Sequence, residues 1–312
     1  MSYLRFDKAN SQERELLALI RAKAWAKELS DSEFITRNQI LYNHPFGKTR
    51  IETYVLKNPE NKIVSSMDCL RVKFLTKEKK PDKVSIKEGF LIASVITPPQ
   101  HRLKGYASLL LNRFFEKIDF EIGVLYSDIG PKFYEKWGFK KTQAAVFEVE
   151  TVPTKNQPTI KEMELKAWVD RVFDLRKSKL IKEEKAQWVV APDTEFWDWQ
   201  LERFRYFANL KGGGKLPNCF FEAETDHGKT YFSVVLNAIT QKAEVLWRDS
   251  HCEESLTAIG AVVQGWGLSH FSFWSAVPHG KLLHEECPMG WCKGAEEPQV
   301  EGFYDPQPCD WW

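Results

Sequence analysis

The sequence predicts a mixed α/β (α+β) protein of two domains, and three observations support this fold class. Patterns typical of strands and of helices alternate along all 312 residues. Residues 91–111 lead from an uncharged, apolar, β-rich stretch through two prolines into a helical apolar pattern. Residues 151–158 are polar and contain two prolines, as is typical of a domain boundary. We therefore expect a first domain at 1–152 and a second domain at 159–312.

The first domain is predicted to follow the order β-α-α-β-β-β-α-β-α-β. Its helices begin at residues that favour helix starts, among them polar N-caps and a proline in a first turn. Its strands are β-rich runs bounded by turn residues. The predicted strands are 3–6, 49–56, 62–74, 89–96, 122–126 and 139–150. The predicted helices are 10–28, 32–42, 105–118 and 131–137.

The second domain is predicted to be α+β with its own helices and sheet. The predicted helices are 161–178, 193–210 and 253–266, and the predicted strands are 219–225, 230–236, 243–248 and 271–275. Strands, then a helix, then a strand repeat the order of the first half, but the pattern Arg-x-x-Gly-x-Ala of residues 102–107 is missing. We interpret this half as a degenerate copy of the first.

The turn at residues 98–107 is the stretch with the clearest chemistry. The first turn of a helix has unpaired N–H groups and the positive end of the helix dipole. Gly105 and Ala107 are small enough for a ligand to approach the backbone, and Arg102 and Lys104 add positive charge. This combination predicts a site for a phosphate or pyrophosphate, while the preceding strand can pair with an amide-bearing arm. Coenzyme A has both features.

Two motifs carry a resemblance to a known superfamily. Residues 99–107, Pro-x-x-Arg-x-x-Gly-x-Ala, resemble motif A of the GNAT superfamily of acetyl-CoA-dependent N-acetyltransferases, and residues 133–139, Phe-Tyr-x-x-x-Gly-Phe, resemble its motif B. The resemblance implies a GNAT fold, with a mixed sheet splayed apart between the strands of the two motifs, and acetyl-CoA as cosubstrate. It implies coenzyme-binding roles for Val95, Ile96, Thr97, Arg102, Leu103, Lys104, Gly105, Tyr106, Ala107 and Asp128.

The second half is similar to one group within that superfamily. Residues 190–194, Val-Ala-Pro-Asp-Thr, and the aromatic helix that follows at 196–204 are similar to the C-terminal region of the fungal lysine N6-acetyltransferases. Short stretches of the first half resemble the same family. Leu103 and Lys104 depart from its pattern, in which glycine often precedes the turn glycine, and the family's pair of histidines is missing from the aromatic helix.

This second resemblance implies a substrate and a reaction. The acetyl group would pass from acetyl-CoA to the ε-amine of free L-lysine by direct attack, with the second half shaping the acceptor pocket. Two alternatives stay open. The acceptor can be another small amine or a protein lysine, or the chain can be a non-catalytic protein that binds coenzyme A.

Amine acetylation needs a polarised thioester carbonyl and a proton for the departing thiolate. The resemblance implies that Tyr134 is this acid, because the superfamily commonly places a tyrosine of motif B beside the sulfur. The alternative for Tyr134 is an aromatic side chain that packs beside Phe133. A backbone N–H around residues 95–97, where prolines interrupt strand pairing, is a candidate to bind the thioester oxygen.

No histidine is an obvious general base, so the candidates are carboxylates. Asp68 and Glu88 are candidate proton acceptors through water, and Asp68 is also a candidate to hold the substrate ammonium. The alternative for both is an ordinary structural contact. Asp128 is a candidate to bind the coenzyme arm or an amine, and the alternative is a helix N-cap just before Pro131.

The amino-acid composition limits which classes of binding partner we expect. Forty-four basic and forty-three acidic residues give a formal charge of +1, which provides no overall field for nucleic acid or an anionic membrane, so we expect a small-molecule amine. No stretch is apolar for the roughly twenty residues that span a bilayer, and the first residues lack a signal-peptide core. The six cysteines are dispersed, which predicts free thiols. We expect a soluble, cytoplasmic protein.

Three further patterns in the sequence have competing interpretations. His284, Cys287 and Cys292 suggest a metal site, but a structural zinc takes four ligands and no fourth is placed, so we expect no metal. The aromatic helix at 196–207 can be a stacking platform for nucleic acid, but its aromatic residues share one face, which favours core packing. The aromatic residues at 310–312 are expected to pack against another part of the chain.

Overall fold

The structure is a computed structural model that describes residues 4–77, 83–142, 144–153, 158–182, 187–191, 193–212, 214–249, 252–275 and 280–293. These residues form two compact units. Unit 1 consists of the described parts of Met1–Val72 and Glu88–Leu125, and unit 2 of the described parts of Lys73–Lys87 and Tyr126–Trp312. The domain boundary expected between 152 and 159 stays a prediction.

Unit 1 is built on a mixed sheet. Its elements are β1 (Arg5–Lys8), α1 (Ser11–Trp25), α2 (Asp31–Asn43), α3 (Pro45–Arg50), β2 (Ile51–Lys57), β3 (Ile63–Lys77), β4 (Val84–Ile96), α4 (Tyr106–Lys117) and β5 (Ile122–Tyr126). The strands lie in the order β1-β2-β3-β4-β5. β1 and β3 are antiparallel to β2, whereas β4 and β5 are parallel and joined through α4. A helical crossover is the connection that parallel neighbours require.

Helices cover both faces of this sheet. On one face Leu17 of α1 packs with Val55 and Ile63. On the other face the ring of Phe114 in α4 lies 5.3 Å from that of Tyr54 and 5.8 Å from that of Phe90. Neighbouring strand residues point to opposite faces, so β2 contributes to both layers.

The helices of unit 1 begin where the sequence provides caps. Asn10 with Glu13 and Ser30 with Glu33 each form a capping box, at the starts of α1 and α2. Helix α3 was not predicted from the sequence, because it is a six-residue helix that starts with Pro45 immediately after α2. A helix this short is below the length at which periodicity is informative.

Unit 2 contains a second mixed sheet. Its elements are α5 (Lys132–Glu135), β6 (Lys140–Lys141), β7 (Ala144–Glu150), β8 (Thr159–Glu162), α6 (Leu165–Lys182), β9 (Gln187–Val190), α7 (Thr194–Leu210), β10 (Phe220–Thr225), β11 (Gly228–Asn237), β12 (Lys242–Arg248), α8 (Glu253–Gly265), β13 (His270–Ser275), β14 (Lys281–Glu286) and β15 (Pro288–Cys292). The large sheet has the order β14-β7-β13-β12-β11-β10-β8. β15 pairs with β6, and β9 pairs with the Phe74–Lys77 end of β3.

Strand β7 differs in its partners from the sequence prediction. The sequence predicts a closing strand of the first domain at 139–150, whereas β7 pairs antiparallel with β13 and β14 of unit 2. The physical reason is packing, because the ring of Phe147 lies 6.3 Å from that of Phe273 within the core of unit 2. The strand was therefore predicted correctly and its neighbours were not.

Aromatic side chains fill a second part of unit 2. Trp168 of α6 is fully buried, with ring centroids of Trp197, Phe220 and Trp247 at 4.6, 4.8 and 5.5 Å. On α7 the aromatic residues at one face are buried, namely Phe196, Trp197, Trp199, Phe204 and Phe207. Core packing of the aromatic helix is therefore confirmed.

The two units share one order of connections. In unit 1, β1 pairs with β2, then come β3 and β4, and α4 crosses over to the parallel β5. In unit 2, β8 pairs with β10, then come β11 and β12, and α8 crosses over to the parallel β13. Helices separate the first strand from the second in both cases: α1, α2 and α3 in unit 1, and α6 and α7, with β9 between them, in unit 2. The repeat that the sequence suggests is thus present in the order of the strands.

Two simpler expectations can be checked on the described residues. The cysteines among them are free thiols: Cys69, Cys219, Cys252, Cys287 and Cys292. Cys309 and the aromatic residues at 310–312 lie outside the described residues. No helix in the described part of the chain is long and apolar enough to cross a membrane. The cytoplasmic location stays a prediction.

Candidate active site

The turn between β4 and α4 holds the residues of the first motif. Pro98 and Pro99 end the strand, and a short 3₁₀ turn spans Pro99–His101. Gly105 then adopts a left-handed conformation with φ +76°, which a glycine enters without steric cost. Leu103 is also left-handed, at φ +61°, and its side chain is fully exposed. The residue that replaces the expected glycine therefore keeps a glycine-like backbone.

The amino end of α4 presents N–H donors that no side chain caps. Gly105 is the N-cap and has no capping side chain, and the first helical bond joins the Leu109 N–H to the Gly105 carbonyl at 3.0 Å. The N–H groups of Tyr106 and Ala107 therefore have no acceptor within the helix. A Cβ added to Gly105 would meet no atom within 4 Å, so the space over the turn is open. Such an end suits an anionic group.

Two cations stand at the same turn. The Arg102 Nε donates to the Thr97 carbonyl at 3.2 Å, and the Lys104 Nζ donates to the Gln100 carbonyl at 3.3 Å. Both side chains are exposed. These bonds keep the two positive charges beside the open helix end, where they add to the attraction for a phosphate.

Strand β4 continues beyond its parallel partner. The register pairs Gly89 with Ile122 and ends where Ile92 meets Leu125, although β4 runs on to Ile96. Ser94, in this extension, has a left-handed φ of +53°. The described residues of β5 thus leave residues 93–96 of β4 without a partner on that side, which is the splay that the sequence motifs imply.

The end of β4 is held from the β3 side. The buried Ser65 hydroxyl lies 3.2 Å from the Ile96 carbonyl, to which it donates, and 3.1 Å from the Thr97 hydroxyl. Val95 between these contacts and the splay is half-buried. Side-chain hydrogen bonds from β3 therefore anchor the end of β4.

Tyr134 is a buried phenol on the short helix α5. Its side chain is 6% exposed, and its ring lies 4.9 Å from Phe133 and 6.2 Å from Phe139. Burial, and secondly the charge of Asp128, raise the pKa of Tyr134 well above its usual value. Its hydroxyl has no hydrogen-bond partner among the described residues. The ring therefore makes the packing contacts, and the hydroxyl can contact another group.

Two of the candidate carboxylates are exposed. Asp128 follows β5, and Pro131, rather than Asp128, is the N-cap of α5, with no side-chain capping bond. The N-cap alternative for Asp128 is therefore not what the structure shows. Glu88 forms an ion pair with Arg71 at 3.5 Å, with 64% of its side chain exposed. Nothing in these contacts prevents either carboxylate from meeting a ligand.

Asp68 is fully enclosed. Its carboxylate accepts bonds from Arg21 at 2.5 and 3.1 Å, from the Tyr42 hydroxyl at 2.8 Å and from the Thr53 hydroxyl at 2.7 Å. Asp68 is 0% exposed and Arg21 is 3% exposed. Burial alone would lower the pKa of Arg21, but the charge of Asp68 raises it. The catalytic role of Asp68 stays a prediction, and its fully engaged oxygens favour the structural alternative.

No family model matches the sequence. A lysine acetyltransferase of Yarrowia lipolytica (strain CLIB 122 / E 150) is 28% identical over 157 residues, which is 42% of this chain and 40% of that protein. The matched region thus covers less than half the length of this curated relative.

Solved structures match most of the chain. A conserved protein of Enterococcus faecalis V583 is 15% identical with a TM-score of 0.59, covering 94% of this chain and 73% of that one. A GCN5-related N-acetyltransferase of Kribbella flavida is 14% identical with a TM-score of 0.59, covering 93% and 72%. A GCN5-related N-acetyltransferase of Anabaena variabilis ATCC 29413 is 14% identical with a TM-score of 0.57, covering 92% and 72%.

The chain has the fold of the GNAT superfamily. The fold class expected from the two sequence motifs is confirmed. These neighbours match both units, since each covers more than nine tenths of the chain. GNAT acetyltransferases use acetyl-CoA, and the uncapped, basic turn of unit 1 fits a coenzyme that carries phosphates.

In the second unit, the described residues at the start of the crossover helix differ in charge from those of unit 1. This crossover helix, α8, begins with Glu253 and Glu254, whose charges already complement the positive helix end. Pairing of β12 with β13 ends at Glu244, and four residues further on Arg248 is fully buried, with its guanidinium 4.2 Å from the ring of Phe273. A packed side chain thus occupies the position at which unit 1 is splayed.

The partners of Asp68 could not be recognised from the sequence. Arg21 lies on α1 among the buried residues Leu17, Ala18 and Ala22, so it belongs to the apolar face of the helix. A charged residue at such a position is rarely buried without a partner. The position of Arg21 on the apolar face of the helix is the one sign in the sequence that it has a buried partner. Nothing in the sequence indicates that this partner is Asp68.

Proposed function

We propose that this protein is an acetyl-CoA-dependent N-acetyltransferase whose acceptor is the ε-amine of free L-lysine. The observation that carries the first part is the open, uncapped amino end of α4 with Arg102 and Lys104 beside it. The acceptor is supported by similarity alone, namely the relative named lysine acetyltransferase and the stretches that resemble fungal lysine N6-acetyltransferases.

In this proposal the turn binds the pyrophosphate and the strand binds the arm. The N–H groups of Tyr106 and Ala107 donate to phosphate oxygens, and Arg102 and Lys104 add charge-assisted contacts. The extension of β4 presents peptide groups to the amide-bearing arm at the splay. The proposed coenzyme-binding residues are those of the sequence analysis: Val95, Ile96, Thr97, Arg102, Leu103, Lys104, Gly105, Tyr106, Ala107 and Asp128.

The proposed reaction is a direct transfer without an acyl-enzyme. The neutral amine nitrogen forms a bond to the thioester carbon, and the carbon–sulfur bond breaks. Tyr134 donates its proton to the departing thiolate, the nitrogen releases one proton to solvent water, and the phenol regains a proton from water. The raised pKa keeps the phenol protonated at neutral pH, as an acid requires. Asp68 is given no proton-transfer role in this scheme because its oxygens are engaged.

One assay tests the proposed activity and its acceptor. The protein is incubated with acetyl-CoA and, separately, L-lysine, a polyamine or a lysine-containing peptide, and the release of free thiol is followed. Release with L-lysine supports the proposal. Release with the polyamine or the peptide alone assigns a different acceptor, and coenzyme binding without release with any amine assigns a non-catalytic coenzyme-binding protein.

A matched pair of arginine variants tests the coenzyme site. Arg102→Gln removes a charge at the open turn, whereas Arg113→Gln removes one from an exposed ion pair with Glu116 on the same helix. A lost contact to a charged group costs 1.5–3 kcal/mol, so we expect the KM for acetyl-CoA to rise about tenfold or more in the first variant only. Equal KM values in both variants would remove Arg102 from the site.

A further inference from the structure

Unit 2 contains a cavity of about 830 Å³ that includes none of the residues assigned to acetyl transfer. It lies between the start of α6, one face of α7 and the chain from Gly214 to Phe220. Helix α7 lines it with Leu201, Arg205 and Asn209, which are four residues apart and so share a face. The volume is that of a site for a small molecule.

The walls of this cavity are tied together. The Asn218 side-chain amide donates to the Glu162 carboxylate at 3.2 Å and to the Met163 carbonyl at 3.3 Å. The Asn218 side-chain oxygen Oδ1 accepts from the Phe220 N–H at 3.2 Å. One residue therefore joins the loop that precedes β10 to the end of β8.

Unneutralised charges of both signs line the cavity. Lys215 and Glu164 both line it, and neither side chain has an ion pair or hydrogen bond with any described residue. Arg205 also lines it, and bonds to Asp198 and Glu202 hold its guanidinium in place. A cation and an anion thus line one cavity without neutralising each other. Their natural complement is a ligand that carries both charges.

Polar side chains of Glu162, Asn209 and Asn218 also line the cavity, and about half of its wall is apolar. Leu201 and Phe220 are buried, and Leu216 and Met163 are half-buried. An aliphatic ligand chain in contact with them would remove apolar surface from water, at about 25 cal/mol per Å². The cavity therefore combines two opposite charges with a surface for hydrocarbon.

We propose that this cavity binds a free α-amino acid with an aliphatic side chain, in its zwitterionic form. The ligand carboxylate meets Lys215 and Arg205, the ammonium group meets Glu164, and the aliphatic chain contacts Leu201 and Leu216. The proposal rests on residues of unit 2 alone and does not depend on the acetyl transfer proposed above.

Calorimetry on the full-length protein tests the ligand class. L-Norleucine is the probe, because it is a zwitterion with an aliphatic chain and has no ε-amine to acetylate. Hexanoate and pentylamine each keep the chain and one of the two charges. We expect L-norleucine to bind. Each single-charge analogue should have a dissociation constant at least about tenfold higher, because it lacks one charged contact. No heat with millimolar L-norleucine, or equal binding of hexanoate, would overturn the proposal.

Variants test the location. Lys215→Gln and Glu164→Gln should each weaken L-norleucine binding about tenfold, because each removes one charged contact. Lys211→Gln is the control, since Lys211 is exposed nearby in the same loop and does not line the cavity. Binding that is unchanged in the first two variants, or weakened equally in the control, means that the heat arises elsewhere and the proposal fails.

Discussion

At the scale of single residues, burial and a nearby charge act together on the Tyr134 phenol, the proposed proton donor. Its ring is fixed by aromatic neighbours, its hydroxyl has no described hydrogen-bond partner, and its pKa is raised by burial and by Asp128. The protonated form exists below this pKa, so it persists as the pH rises through the ordinary tyrosine value of about 10. An acid of this kind stays competent over the range in which amine acceptors lose their protons.

Replacement of Tyr134 by phenylalanine should therefore lower kcat by about 100-fold while acetyl-CoA binding stays nearly unchanged. The free energy of unfolding should change by less than about 0.5 kcal/mol, since no described hydrogen bond is lost. Steady-state kinetics and urea unfolding of both proteins measure these effects. A variant with wild-type kcat would identify Tyr134 as a packing residue.

In the wild type, kcat/KM should not fall between about pH 8 and pH 10 on account of this group.

Asp68 and Arg21 form the buried ion pair of unit 1. Asp68→Asn leaves the Arg21 charge without its partner in a site that is almost fully enclosed. We expect a loss of about 3–5 kcal/mol in the free energy of unfolding. The double variant with Arg21→Met should recover part of this loss, because it removes the uncompensated charge. Urea denaturation of the three proteins measures the difference.

The same variants separate structure from catalysis. If Asp68 acts only through stability, the folded fraction of Asp68→Asn retains its turnover, and the double variant does as well. A loss of turnover in protein that is still folded at low temperature would instead support the proton-transfer role predicted from the sequence.

At the scale of elements, the junction of β4 with α4 unites strand, turn and helix end. Gly105 is left-handed and open to solvent, and Gly267, which follows α8, has φ +78° and equally open surroundings. Alanine at either position should cost about 1 kcal/mol of stability through its backbone conformation. Only at Gly105 would the new methyl group also stand where a phosphate approaches the backbone.

We therefore expect Gly105→Ala to raise the KM for acetyl-CoA about tenfold, and Gly267→Ala to leave it unchanged. Thermal unfolding of the two variants checks that their stability losses match. A common rise in KM would mean that the effect is one of stability rather than of coenzyme contact.

Elements differed in how well the sequence predicted them. The bounds of β5 and, to within a residue or so, those of α4 follow from the sequence, because prolines, a glycine and strong apolar runs mark these ends. The four-residue strands β8 and β9 were missed, since they are too short for periodicity. β7 was predicted as a strand, but alternation along a strand indicates which faces are apolar and not which sheet it joins.

The residues of the candidate site also differ in how far local sequence predicts their structure. The turn at Gly105 could be predicted because a local motif determines the backbone of a turn, whereas the binding roles of Gly105 and Arg102 stay proposals. The partners of Asp68 could not be found, because Arg21 and Tyr42 are 47 and 26 residues away and meet it only through tertiary packing. The cavity beside α7 was missed for the same reason, since its walls come from three separate stretches.

For the whole molecule, the repeated strand order predicts how much coenzyme one chain binds. Unit 1 has the open basic turn, whereas α8 of unit 2 begins with Glu253 and Glu254 and its strands enclose Arg248. Calorimetry with coenzyme A should therefore give one bound molecule per chain. Glu253→Gln should leave both the stoichiometry and the affinity unchanged, while Arg102→Gln should weaken binding. A stoichiometry of two would show that unit 2 also accepts the coenzyme.

The burial of Arg248 has a consequence for protein redesign. Exchange of this arginine for a smaller residue, together with removal of the acidic residues that start α8, would create a cavity in unit 2. The cavity would lie at the position that corresponds to the splay between β4 and β5 in unit 1. One chain could then contain two separate binding pockets, one for the proposed coenzyme and one that could be engineered for a different ligand.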